Sequence, residues 1–143
     1  MIRYFVNEEK GVVVARLEGF ESDILARTNS FSKRFQGIFE KKYIDYYLQN
    51  FVIIWTEKNQ HLIKNLKGKS SCNLAKGDIF SEYLGKEIAK ERLLKKVNIL
   101  RKKFYEDIWG DLYNFSNIIY PKISYEESRI QKRTQQINYL IED

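Results

Sequence analysis

Eight cations, Lys86, Lys90, Arg92, Lys95, Lys96, Arg101, Lys102 and Lys103, fall within one short stretch that holds only Glu87 and Glu91 in opposition. Guanidinium and ammonium groups at such density suit a phosphate-bearing ligand, arginine giving a planar two-toothed grip and lysine a point charge. Solvated helical lysines are also an ordinary way to cover a surface. Just upstream lies SSCNLAKGDIF, in which Cys72, Asn73 and Asp78 sit around a polar turn. Asp78 has the type and place of a helix N-cap. Alternatively, Asn73 and Asp78 meet ribose hydroxyls or a base edge.

Other reactive residues give less. His61 is the only histidine and Cys72 the only cysteine, so a zinc site built on these types has too few ligands. No nucleophile is placed near His61 by the sequence, and the pairs Glu8-Glu9, Glu126-Glu127 and Glu142-Asp143 read as solvated turn, helix start and tail. Gly68-Lys69-Ser70 looks like the tail of a phosphate-binding loop, yet Ile63 stands where that motif needs glycine. Cys72 reads as a small packing side chain. No catalytic residue, metal or cofactor is expected.

These residues need elements to hold them. The 143 residues suit one domain, here expected as a β-rich part with an inserted helix over 1–77 and a helical part over 78–143. MIRYFVN and VVVARLEG flank a turn ending in Gly11 and predict a β-hairpin. Ser22 or Asp23 can cap a helix, and Phe31, Phe35, Ile38, Phe39 and Tyr43 recur at helical spacing around Gly37. FVIIW predicts a buried strand, and HLIKNLKGKSSCNL another around a Lys67-Gly68 turn. From Phe80 through Leu84, Ile88, Leu94, Val97, Leu100, Phe104 and Ile108 to Leu112 an apolar stripe predicts one long helix, with Gly110 a break near its end. Pro121 should close that region, and Ser124 with Glu127 forms a capping box for a last helix. The fold expected is α+β: a small N-terminal antiparallel sheet followed by long C-terminal helices. Helices of that reach suit packing against a second copy.

A formal charge of +6 and a pI near 9.3 favour an anionic partner. The longest apolar run, Phe51 to Trp55, is too short to span a bilayer, and the opening residues do not read as a secretory leader. The lone cysteine fits a reducing cytoplasm.

The pattern Cys72-Asn73, Asp78, Phe80, Gly85, Ala89, Arg92, with the hairpin before it, resembles the Thoeris anti-defence 1 family of phage accessory proteins. Lys76-Gly77 stands where that family has a proline- or acid-rich turn. The resemblance implies a sponge that sequesters a cyclic nucleotide signal, a cyclic ADP-ribose isomer, as a homodimer or larger assembly in the cytoplasm of an infected bacterium. Arg92 would then meet phosphate, Asn73 and Asp78 ribose or adenine, and Phe80 a base face; Lys90 and Lys96 supply further charge. The alternative is a basic phage protein that binds nucleic acid or blocks a nucleic-acid enzyme, as anti-CRISPR factors do.

Overall fold

A hairpin opens the chain. In the computed structural model, which describes residues 1–34 and 41–142, strands β1 (Ile2–Asn7) and β2 (Val12–Leu17) pair antiparallel, Ile2 opposite Leu17 and Asn7 opposite Val12. Asn7 Oδ1 accepts from the Lys10 amide at 3.0 Å, and Gly11 turns the chain with φ +64°. Glycine is needed there twice over, because a Cβ would also collide with the Cys72 sulfur. Strand β3 (Lys67–Ser71) adds to β2 antiparallel, giving the order β1-β2-β3.

Between β2 and β3 run α1 (Phe20–Arg34), α2 (Lys41–Lys58) and α3 (Gln60–Lys64); after β3 come a short helical turn (Leu74–Lys76) and α4 (Glu82–Glu142). The chain divides into two units inside α4, Met1–Phe104 and Tyr105–Asp143. This α+β order, small sheet first and long helix last, is the one the sequence predicts.

Several local expectations change. FVIIW lies inside α2, where Leu48, Val52 and Trp55 are buried at helical spacing while Ile53 and Ile54 are more than half exposed. A run of consecutive apolar residues has no period of its own, so its composition cannot separate strand from helix. His61 to Lys64 are helical, and Gly68 lies within β3 rather than at a turn. Ser22 and Asp23 are interior to α1, which starts at Phe20 after Gly19 with φ +83°. Phe35, Gly37, Ile38 and Phe39 lie outside the described residues. No break occurs at Gly110 or Pro121: α4 is one helix of 61 residues with Pro121 inside it, so Ser124 caps nothing.

The sheet has two unlike faces. Val13, Ala15, Gly68 and Ser70 alternate inward and are buried. Small residues let α4 settle there: a Cβ on Gly68 would collide with the Ala89 carbonyl oxygen and the Leu93 amide, and one on Gly85 would lie 2.8 Å from Val13 Cγ2. The buried stripe of α4 is therefore Gly85, Ala89, Leu93, Val97, Leu100 and Phe104, while Leu84 is 57% exposed. Hydrophobicity marks the large side chains, whereas the sheet contact selects the small ones. Further along, Phe104 stands edge-on to Trp55 at 5.0 Å and to Phe51 at 5.8 Å, and Trp55 reaches Phe20 at 6.5 Å. Those rings join α1, α2 and α4 in one core. Asp23 Oδ2 accepts from both Nε (3.0 Å) and Nη2 (2.9 Å) of Arg101, and from Arg27 Nε at 3.0 Å.

The second unit, by itself, is the remainder of α4. Its side chains make local contacts, such as Arg129 Nη1 donating to the Tyr125 hydroxyl at 2.9 Å. Ile123, Ile130 and Ile137 are 51%, 63% and 56% exposed.

Candidate anion-binding surface

The turn after β3 is held by its own polar groups. The Asn73 amide donates to Asp78 Oδ2 at 2.9 Å, and the Asp78 amide donates back to the Asn73 carbonyl at 3.2 Å. Asn73 Oδ1 accepts from the Lys76 amide at 3.3 Å, and Gly77 completes the turn at φ +86°. Asp78 is therefore a turn clasp and not the helix cap. That role falls to Ser81, whose Oγ accepts from the Leu84 amide at 3.3 Å. Asn73 and Asp78 are exposed, and Asn73 Oδ1 and Asp78 Oδ2 each already accept a backbone amide within the turn.

Arg92 meets β3. Its Nη1 donates to the Lys69 carbonyl at 2.6 Å. The amides of Cys72 and Leu17 bond Gly11 and Leu66, so residues 70 and 68 bond β2 while Lys69, opposite Val14, does not. The N–H and C=O of Lys69 point off the free edge of the sheet, and Arg92 covers that carbonyl. A guanidinium has five N–H donors, so most remain available.

Among the described residues, the six residues singled out by the sequence are not joined into one bonded cluster. Asn73 touches Asp78, and Arg92 docks on β3, but among the described residues no hydrogen bond or ion pair joins Arg92 to the turn. Phe80 is half-buried ahead of α4. Lys96 follows Arg92 by one turn on the same flank, whereas Lys90, half-buried, falls on the other side of the helix. On that other side Lys86 pairs with Glu82 at 2.7 Å and lies 5.7 Å from the Tyr4 ring centre. Arg101 belongs to the core network with Asp23. Gly85 and Ala89 are packing residues against the sheet.

Among the described residues Arg92, Lys95 and Lys96 have no ion-pair partner. Lys95 does not pair with Glu91, and beside them Leu94, Asn98, Ile99 and Lys102 complete a shallow, open depression. The surface holds cations in the open and no deep, walled cleft among these residues.

Sequence reasoning missed the outward face of the sheet. Arg3, Phe5, Arg16, Lys67 and Lys69 are all exposed at alternate strand positions. Strict alternation in KGKS carries the signal for β3, but the register that joins three strands is not written in any one of them.

Among the described residues no group of three His, Cys, Asp or Glu is arranged to hold a metal ion. No helix there is long and apolar enough to cross a membrane. Comparison with protein families, with curated proteins and with solved structures found no match.

Proposed function

We propose that this protein acts without catalysis, by binding a phosphate-bearing ligand on an open basic surface, and that nucleic acid is the ligand class its geometry supports best. The observation that carries the reading is the free edge of β3, where Arg92 bonds Lys69 O and where Lys67, Lys69 and Lys96 are exposed without ion-pair partners among the described residues. A nucleic-acid backbone is an extended line of charges and suits an extended array of cations. A small ligand needs concave walls that bury most of its surface. The reading makes the protein a phage factor that occupies nucleic acid or blocks an enzyme acting on it.

Sequestration of a cyclic ADP-ribose isomer is the second reading, and one observation favours it. Arg92 is held in place with donors to spare, so a pocket wall supplied by a second copy would complete a phosphate site. The second unit supports self-association. Ile123, Ile130 and Ile137 recur every seven residues along this helix and are more than half exposed. In a parallel pair with these as core positions, Lys122 faces Glu127 of the other copy. Sedimentation should show a homodimer or larger assembly, reduced to monomer by Ile130→Lys.

Thermal stabilisation separates the ligands. A shift with a short oligonucleotide that fades as salt rises supports the first reading. A salt-tolerant shift with one cyclic nucleotide, lost in Arg92→Ala, moves the conclusion to the second. No shift with either class refutes both.

A further inference from the structure

The outward face of the sheet carries an arrangement that folding alone does not favour. Arg3 pairs across the strands with Arg16, and Arg16 with Lys67, so three cations form one row over β1, β2 and β3. Neighbouring strands are only about 5 Å apart, and like charges directly opposite one another destabilise a sheet. Among the described residues one carboxylate answers the row: Glu18 holds Arg3 at 3.0 Å. Arg16 turns instead over the Phe5 ring, 5.7 Å from its centre. Lys67 has no ion-pair partner among the described residues.

The next row is Phe5, Val14 and Lys69, about 7 Å further along the strands. Phe5 is 55% exposed on this face, an aromatic ring with the Arg16 guanidinium over part of it and Arg3 and Lys69 on the same face. The opposite face is filled by α4, so the outward face is the one left to solvent. Arg92 continues the charge past the edge of β3 by its bond to Lys69 O.

From the like-charged row and the ring beside it we infer that this sheet face binds a single strand of nucleic acid, its phosphates along Arg16, Lys67 and Lys69 and a base against Phe5. The inference rests on the nucleic-acid reading and assigns it a surface distinct from the Lys95–Lys96 part of α4. Charge selects a polyanion, and an exposed ring selects unpaired bases over a duplex, whose bases are already stacked. The row costs stability without its ligand, and the ligand's phosphates neutralise it.

The test is fluorescence anisotropy of a labelled mixed-sequence 12-mer, single-stranded and duplex, between 50 and 300 mM salt. The full chain is compared with Arg16→Gln/Lys67→Gln, Phe5→Leu and Lys95→Gln/Lys96→Gln. Removing Arg16 and Lys67 should lower affinity at least about tenfold and reduce the log–log salt slope by about 1.4, two contacts at 0.7 each. Phe5→Leu should lose about tenfold or more while barely changing the slope. Melting temperature should stay level or rise in the Arg16→Gln/Lys67→Gln variant, since a repulsive row is relieved; this separates lost contact from lost fold. Wild-type affinity in that variant, with loss in Lys95→Gln/Lys96→Gln, overturns the sheet-face inference and leaves the nucleic-acid reading standing. Preference for the duplex also overturns the inference. Absence of binding by the wild-type chain overturns both.

Discussion

Replacing Gly68 by alanine puts a methyl group where α4 already stands. The added Cβ would collide with the Ala89 carbonyl oxygen and the Leu93 amide, and would lie 3.1 Å from the Ala89 carbonyl carbon. All three are backbone atoms of a helix, so no rotamer change relieves the contact. Either α4 moves off the sheet or β3 bends away, and Val13 and Ala15, both fully buried, lose contacts in each case. Overpacking of this kind costs about 1–3 kcal/mol, and the stiffness of the helix places Gly68→Ala in the upper part of that range. The opposing gain from restricting the unfolded chain is about 0.4–1 kcal/mol, which leaves a net loss of about 2 kcal/mol. For a chain of this size that corresponds to a melting temperature lower by roughly 5–10 °C. Gly110→Ala is the matched control: nothing lies within 4 Å of its added Cβ, and the residue is helical. It should stabilise the helix by up to about 1 kcal/mol. Thermal and urea unfolding of the two variants reads both effects. Gly68→Ala as stable as wild type would refute the close seating of α4 on β3, and with it the reason for Gly85 and Ala89.

Asp23→Ala removes the shared acceptor of Arg101 and Arg27; with the Arg101 side chain only 25% exposed, urea unfolding should show a loss of about 1–2 kcal/mol. Discounting for solvent, most of that loss belongs to Arg101, so Arg27→Ala should cost far less. Ser81→Ala should cost about 1 kcal/mol and speed amide exchange in the first turn of α4, while Asp78→Ala should loosen the turn and leave the start of the helix in place. Pro121→Ala restores an amide donor inside α4 and should stabilise the surrounding helix by on the order of 2–3 kcal/mol, read as slower amide exchange around residue 121.

The parts of the fold that were legible had a period and a punctuation mark. The hairpin announced itself by two β-branched runs around Gly11, and the helical end by apolar spacing sustained past Phe104. FVIIW failed because five apolar residues in a row fit either element; only burial of Val52 and Trp55 beside exposed Ile53 and Ile54 shows the helix. Gly68 has the type of a turn residue, although its reason is the close approach of Ala89. Asp78 and Ser81 are both good caps by type, and the hydrogen bond to Leu84 decides between them. Pro121 stops most helices, and a one-residue rule could not foresee a helix that runs through it.

Of the candidate surface, the sequence shows the charge but not its arrangement in space. Charge density drew attention to α4, and Arg92 and Lys96 do share a flank there. Asn73 and Asp78 do form one polar turn, yet Asn73 Oδ1 and Asp78 Oδ2 are engaged by the turn's own amides. The cation row Arg3–Arg16–Lys67 draws on three strands separated by up to 64 positions, and only the register brings it together. Charges counted along a chain miss such rows.

The most direct test of the central claim is the salt dependence of wild-type affinity for a single-stranded oligonucleotide. Three or four phosphate contacts predict a log–log slope of about −2 to −3. A slope near zero, or tight salt-tolerant binding of a small cyclic nucleotide with none of the oligonucleotide, would contradict an open basic surface as the working part of this protein.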